Sequence, residues 1–291
     1  MFSVTRVVGA WSKRRHRRLG FVGVGAQKCG TTTLHDLLAL HPEIEVPRRK
    51  ELHYFRRDAR FDADYRPRSG SYSGLHRHFY FDRAVAGEIT PLYLYWRPSL
   101  ERIHAYNPDI KIIVLLRNPV KRAYSQWGHY VRKSTWRKHR HKTIKPFRNW
   151  VKREARDTAR DPNYQRVRRS LIGRSLYAGQ IKRVISLFTP EQVMFVKSET
   201  FFADQAGVTD DVCRFLGVAP LSSVAELTPV HENVGTIAPI SPADWDIAYK
   251  HLADDIARVE DALGWDCADW RLPPHAAPVA EDRVPEPVPT S

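Results

Sequence analysis

The apolar positions of the chain fall into two spacings that alternate along its length. Leu19-Gly20-Phe21-Val22-Gly23-Val24 reads as a buried strand, followed by a loop, Gly25-Ala26-Gln27-Lys28-Cys29-Gly30. Thr31-Thr32-Thr33 opens a helix whose apolar face is Leu34, Leu37 and Leu38. His41-Pro42 ends it, because a residue before proline is pushed out of helical geometry. Ile44-Glu45-Val46 and Val85–Ile89 read as short strands. Ile110–Leu116 is the strongest strand, a continuous apolar run of the kind found in parallel strands covered on both faces. Asn118 suits the cap and Pro119 the first position of the next helix, whose stripe is Val120, Ala123, Tyr124, Trp127 and Val131. Phe147, Trp150 and Val151 predict one further helix, and Leu176, Tyr177, Ile181, Val184, Ile185 and Phe188 another, from about Arg174 to Phe188. A strand at Gln192–Val196 and helices around Asp210–Leu216 and Ala243–Leu263 follow.

Strands alternating with helices predict an α/β fold: a single P-loop-like domain with a central, mostly parallel five-stranded sheet flanked by helices. In such sheets ligands bind at the carboxyl ends of the strands. The domain is expected over residues 19–270, between a basic N-terminal arm (1–18) and a Pro-rich tail (271–291) expected to be disordered. The 42% hydrophobic content argues against wholesale disorder. No apolar run approaches the roughly 18 residues of a membrane-spanning helix. The arm, with Arg14, Arg15, Arg17 and Arg18, is not followed by the apolar segment of a secretory leader. It reads as a solvated leader or as a point of peripheral contact with an anionic membrane.

Charge sharpens the picture. Residues 1–190 carry 41 basic and 14 acidic side chains (+27), whereas residues 191–291 carry 6 and 18 (−12). Such a field concentrates anions near the first two-thirds of the chain. The three cysteines, Cys29, Cys213 and Cys267, form neither a disulfide framework nor a metal knuckle, which fits a reducing, cytoplasmic setting. His76-x-His78 and His139-x-His141 lack Cys or carboxylate partners at ligand spacing, so no metal site is expected and both pairs read as solvated.

The first loop is the candidate anion site. Its glycines allow close backbone approach, the helix N-terminus presents free N–H groups, and Lys28 and Thr31–Thr33 add donors. A nucleotide-triphosphatase loop needs Lys and then Ser or Thr directly after its second glycine, whereas Thr31 follows Gly30 here and Lys28 precedes it.

Four blocks, in order, resemble the sulfotransferases that use 3′-phosphoadenosine 5′-phosphosulfate (PAPS), closest to the heparan-sulfate and bacterial glycan type. They are Gln27–Leu34, similar to the 5′-phosphosulfate loop; Lys50-Glu51-Leu52-His53-Tyr54-Phe55, similar to a K-E-x-H-F-F segment; Leu116–Ser125, similar to the 3′-phosphate block; and Arg174-Ser175-Leu176-Tyr177, similar to an R-S-L-Y helix start. The resemblance spans residues 20–200 and weakens beyond, where a polar loop at Glu232–Pro239 is expected to close over the cofactor. It implies that Gln27, Lys28, Cys29, Gly30, Thr31, Thr32, Thr33, Arg117, Ser125 and Tyr177 hold PAPS. It also implies that Lys28 stabilises the leaving group, that Glu51 is the general base with His53 beside it, and that His129 enters the cleft. Arg48, Arg49 and Lys50 favour an ionised Glu51. Alternation along an extended segment would put Glu51 and His53 on one face.

The acceptor implied is a hydroxyl or amine, most naturally on a glycan, with no metal required. The sequence departs from many relatives at Ile89, where they carry lysine, and in lacking their paired cysteines and membrane anchor. These departures point to a bacterial, cytosolic enzyme. Two other classes compete. A P-loop kinase is disfavoured by the lysine position. A nucleic-acid-binding protein would draw on the basic 132–169 stretch and on Trp127, Trp136, Phe147 and Trp150 interleaved with it. No recognition signature accompanies them.

Overall fold

The computed structural model describes residues 18–136, 146–160, 170–224 and 238–273. Most of the N-terminal arm and tail, His139, His141 and most of the Glu232–Pro239 loop lie outside the described residues. Five strands, β1 (Phe21–Gly25), β2 (Ile44–Glu45), β3 (Val85–Ile89), β4 (Lys111–Leu116) and β5 (Val193–Lys197), form one sheet in the order β2-β3-β1-β4-β5. Every pairing is parallel, with Phe21 beside Gly87 on one side and Lys111 on the other. β1 lies at the centre and is buried along its whole length, as the apolar run predicts.

Eleven helices lie among the described residues, the first six supplying the crossovers that parallel pairing requires and the last five following β5. They are α1 (Thr31–Leu40), α2 (Ser73–His76), α3 (Pro98–Tyr106), α4 (Pro119–Trp136), α5 (Phe147–Arg160), α6 (Ala178–Leu187), α7 (Ser198–Ala203), α8 (Gln205–Leu216), α9 (Pro242–Tyr249), α10 (Ala253–Leu263) and α11 (Ala268–Arg271). The apolar face Leu34, Leu37 and Leu38 of α1 is buried, and the helix ends before His41. Asn118 caps α4: its Oδ1 accepts the N–H groups of Val120 and Lys121 at 3.0 and 3.1 Å. A second apolar cluster, including Val120, Phe147, Val151, Leu171 and Trp245, joins α4, α5 and α9.

The structure corrects three readings and adds a crossover helix. The helix expected from Ala243 to Leu263 is two, α9 and α10. α9 packs on α5, whereas α10 packs on α6, and no straight helix reaches both. Leu252, fully buried at the break, and Asp255, which accepts the Tyr177 and Ala178 N–H groups, hold the bend. The helix expected from Arg174 begins at Ala178, because Arg174–Tyr177 form a turn fastened to the loop after β1. The crossover α3, started by Pro98, went unread because its apolar stripe is short. His76 is not solvated: its Nε2 lies 3.0 Å from the Tyr106 hydroxyl, among aromatic rings.

Candidate active site

Strand order reverses across β1, so the loops after β1 and β4 part and leave a crevice at their carboxyl ends. A cleft of about 360 Å³ opens there. It is lined by Gln27, Lys28, Gly30, Thr31, Thr32, Thr33, Glu51, Arg117, Ser125 and His129, drawn from three of the four sequence blocks and from α4. Asp36, Lys50, Pro91, Gln126 and Phe202 complete it.

The loop is built to meet an anion. Gly30 precedes α1 with φ 87°, and a Cβ there would come within 3.1 Å of the Phe201 and Phe202 rings. No side chain caps α1 and its first turn holds no acid, so its N-terminal N–H groups face the cleft with their partial positive charge. Lys28 also adopts a left-handed backbone, φ 72°. Burial, and then the fields of Arg132, Arg117 and Arg122, lower the proton affinity of its amine. An anion in the cleft would relieve both effects.

Buried cations hold the loop from below. Arg122, fully buried, donates from Nε to Ser175 Oγ at 2.7 Å and from Nη1 to the Gln27 carbonyl at 3.5 Å. Arg174 donates to the Gln27 side-chain carbonyl and lies over the Tyr95 ring. Ser198 donates to the Cys29 carbonyl at 2.9 Å. The turn that carries Arg174 is itself gathered by buried Glu154, whose carboxylate accepts from Ser170 Oγ and from the N–H groups of Leu171, Ile172 and Gly173. These clamps were not read in the sequence. Arg122 and Arg174 sit inside the quoted blocks, but burial is what marks them as struts.

Cys29 and Tyr177, nominated as cofactor contacts, do not line the cleft. Both side chains are fully buried beneath the loop, with the sulfur 3.8 Å from the Tyr177 hydroxyl, which donates to the Arg117 carbonyl at 3.0 Å. They support the loop and strand end from behind. Arg117 itself leaves β4 into the cleft, its guanidinium 5.9 Å from the centre of the Phe202 ring and 3.5 Å from the Lys28 carbonyl. Ser125 and His129, four residues apart on α4, line the same wall.

On the opposite side, Glu51 Oε2 lies 3.3 Å from His53 Nε2. The pair meets as expected, but not through an extended segment, since His53 has φ 55°. Burial, and then Arg56, Arg57, Arg49 and Lys50, push the His53 imidazole down to about 4, so it is neutral at pH 7. Its Nδ1 is buried without a partner, which leaves the proton on Nε2, donated to the Glu51 carboxylate. His53 stands behind Glu51 and outside the cleft wall.

Glu88 anchors this segment. It is fully buried and accepts from Tyr93 Oη at 2.6 Å and Thr90 Oγ1 at 2.7 Å. Those hydroxyls in turn accept the N–H groups of Phe55 and His53. Ile89, where many relatives have lysine, is buried and absent from the cleft wall. A different cation is present: Lys50 Nζ lies 3.4 and 3.2 Å from the Thr31 and Thr32 hydroxyls and 4.0 Å from Glu51 Oε1. The sequence signal for Lys50 was its place in the K-E-x-H-F-F block.

Comparison with known proteins places the fold. Residues 21–232 match the sulfotransferase domain family. Human heparan sulfate glucosamine 3-O-sulfotransferase 6 is 32% identical over 195 residues, covering 67% of this chain and 51% of that protein. Human bifunctional heparan sulfate N-deacetylase/N-sulfotransferase 3 is 28% identical over 237 residues, covering 77% of this chain and 25% of its own length. The chain thus spans about half or less of these relatives. The crystal structure of a sulfotransferase from Alicyclobacillus acidocaldarius superposes with a TM-score of 0.70 at 30% identity, covering 88% of this chain and 99% of that one. With an all-parallel sheet, an anion loop between β1 and α1, and a family match over most of its length, this chain belongs to the sulfotransferase family.

Proposed function

We propose that the protein transfers a sulfuryl group from PAPS to a hydroxyl or amine of a carbohydrate or glycan acceptor. One observation carries this reading: the anion loop, Arg117 with Ser125, and Glu51 line a single cleft. The donor set fits the cofactor. The α1 N-terminus, Lys28 and Thr31–Thr33 would hold the 5′-phosphosulfate, and Arg117 and Ser125 the 3′-phosphate, through charge-assisted hydrogen bonds. When bound, PAPS supplies a sulfuryl group on a phosphate leaving group.

The chain's own residues do the rest, chiefly by positioning and charge stabilisation. Glu51 takes the proton of the acceptor hydroxyl as its oxygen bonds to sulfur. The neutral His53 fixes the carboxylate by donating to its other side. Lys28, in the loop that would hold the 5′-phosphosulfate, would stabilise the negative charge of the phosphate leaving group. Lys50, between Thr31, Thr32 and Glu51, adds a second positive charge on the transfer path.

The aromatics that favoured a nucleic-acid reading pack on one another. Trp127 lies against Tyr124 and Phe147, and Trp150 against Tyr130. They do not form an open stacking platform, and the side chain of Trp136 is outside the described residues. A cytoplasmic location is part of the proposal, supported by three buried free thiols, Cys29, Cys213 and Cys267. Thermal stabilisation tests the cofactor class. Adenosine 3′,5′-bisphosphate should raise the melting temperature more than AMP, ADP or ATP, and labelled PAPS should pass its sulfur to a glycan panel. A shift with ATP and magnesium alone would overturn the reading.

A further inference from the structure

Along the segment that carries Glu51 lies a second hollow, of about 40 Å³. Four arginines line it, Arg49, Arg57, Arg60 and Arg77. Among the described residues none of the four has a carboxylate within ion-pair distance. The nearby acids are engaged elsewhere: Asp58 pairs with Arg102 at 2.8 Å, and Asp62 accepts the N–H groups of Asp64 and Arg66.

Like charges gathered around one hollow repel, and an oxyanion between them reverses the sign of the interaction. The mutual field is visible in the neighbours. Burial, then Arg60 and Arg56, lower the proton affinity of Arg57, and burial, then Arg77 and Arg49, lower that of His78. A water takes about 10–15 Å³ of such volume, so the hollow has room for about three waters, comparable to one tetrahedral oxyanion. Gly74 leaves the room: a Cβ there would stand 3.0 Å from Arg60 Nη1.

The hollow and the cleft share one stretch of chain. Lys50 and Glu51 line the cleft, whereas Arg49 and Leu52 line the hollow. Only Lys50 stands between Arg49 and Glu51, so their backbones are at most roughly 7 Å apart, within the span of one extended acceptor.

We propose that Arg49, Arg57, Arg60 and Arg77 form a binding site for a phosphate or sulfate monoester, and that this group belongs to the acceptor whose hydroxyl meets Glu51. The second half rests on the proposed function; the first does not. Calorimetric titration with inorganic phosphate at low salt, on the free protein and on protein saturated with adenosine 3′,5′-bisphosphate, tests the site. In both, one saturable site should weaken tenfold or more in Arg57→Gln/Arg60→Gln. Gly74→Ala, which adds only a methyl in a helical turn, should weaken it while leaving the melting temperature near that of the wild type. Phosphate binding insensitive to all three substitutions would overturn the site, whether or not the bisphosphate binds.

The acceptor half is read from saccharides offered in neutral, 6-phosphate and 6-sulfate forms. The charged form should be sulfated faster, the double substitution should abolish that advantage, and whichever ester leads identifies the group. Equal rates for neutral and charged forms would overturn it.

Discussion

Arg117→Ala isolates the 3′-phosphate contact. The side chain leaves the end of β4 half-buried, and its donation to the Lys28 carbonyl, at 3.5 Å, is at the limit of a hydrogen bond. A charged hydrogen-bond pair to phosphate is worth about 1.5–3 kcal/mol, and the middle of that range, about 2 kcal/mol, corresponds to about 30-fold in Kd. With adenosine 3′,5′-bisphosphate at about 100 times the wild-type Kd, binding stabilises the wild type by about 2.7 kcal/mol. In the variant the same concentration is only about three times Kd, and the stabilisation falls to about 0.9 kcal/mol. At about 2 °C per kcal/mol for a domain of this size, the shift should drop from about 5 °C to about 2 °C. Each shift is taken from that protein's own ligand-free melting temperature. AMP, which lacks the 3′-phosphate, should shift both proteins equally. Equal losses with AMP and the bisphosphate, or no loss with either, would refute the assignment.

Other substitutions probe the remaining parts. Glu51→Gln should lower sulfuryl transfer by roughly 10²–10⁴ while leaving the bisphosphate-induced shift unchanged, as checked by turnover and melting on the same preparation. Burial pushes the Glu88 carboxyl up to about 7, against the opposing hydrogen bonds from Tyr93 and Thr90. The folded form therefore keeps a proton that the unfolded chain loses, and this stabilisation, complete at acid pH, fades as pH rises to 7. The melting temperature of wild type should fall relative to Glu88→Gln between pH 5 and pH 8, and parallel curves would count against it. Asn118→Ala removes the α4 cap and the donation to the Trp270 carbonyl, at a cost of about 2 kcal/mol, or a fall of about 4 °C in melting temperature. Glu154→Ala strands four donors and should cost at least about 3 kcal/mol in denaturant unfolding.

The strands and the loop were legible because their signals are local. The apolar runs at Phe21–Val24 and Ile110–Leu116, the Asn118-Pro119 cap and the Gly30-Thr31 helix start each need only neighbouring residues, and each is found in the structure. Lys28, Glu51, Arg117 and Ser125, nominated through their blocks, and His129, nominated on the helix that follows β4, line one cleft. Illegible were the places where distant segments compete for the same residue. Tyr177 is polar enough for a ligand contact, but the packing under the loop takes it. The residues from Ala243 to Leu263 have helical spacing throughout, yet α5 and α6 pull the two halves onto different neighbours.

Local pattern was thus sufficient for the class of fold and for the strand–loop–helix from Phe21 to Leu40, because side-chain period and backbone sterics act over a few residues. Burial and charge belong to the assembled chain. Whether Arg174 is a surface cation or a strut, whether His53 is charged or neutral, and whether four scattered arginines share one hollow depend on what the fold brings beside them. Desolvation and Coulomb terms are set by neighbours distant in the chain, and no window of sequence contains them.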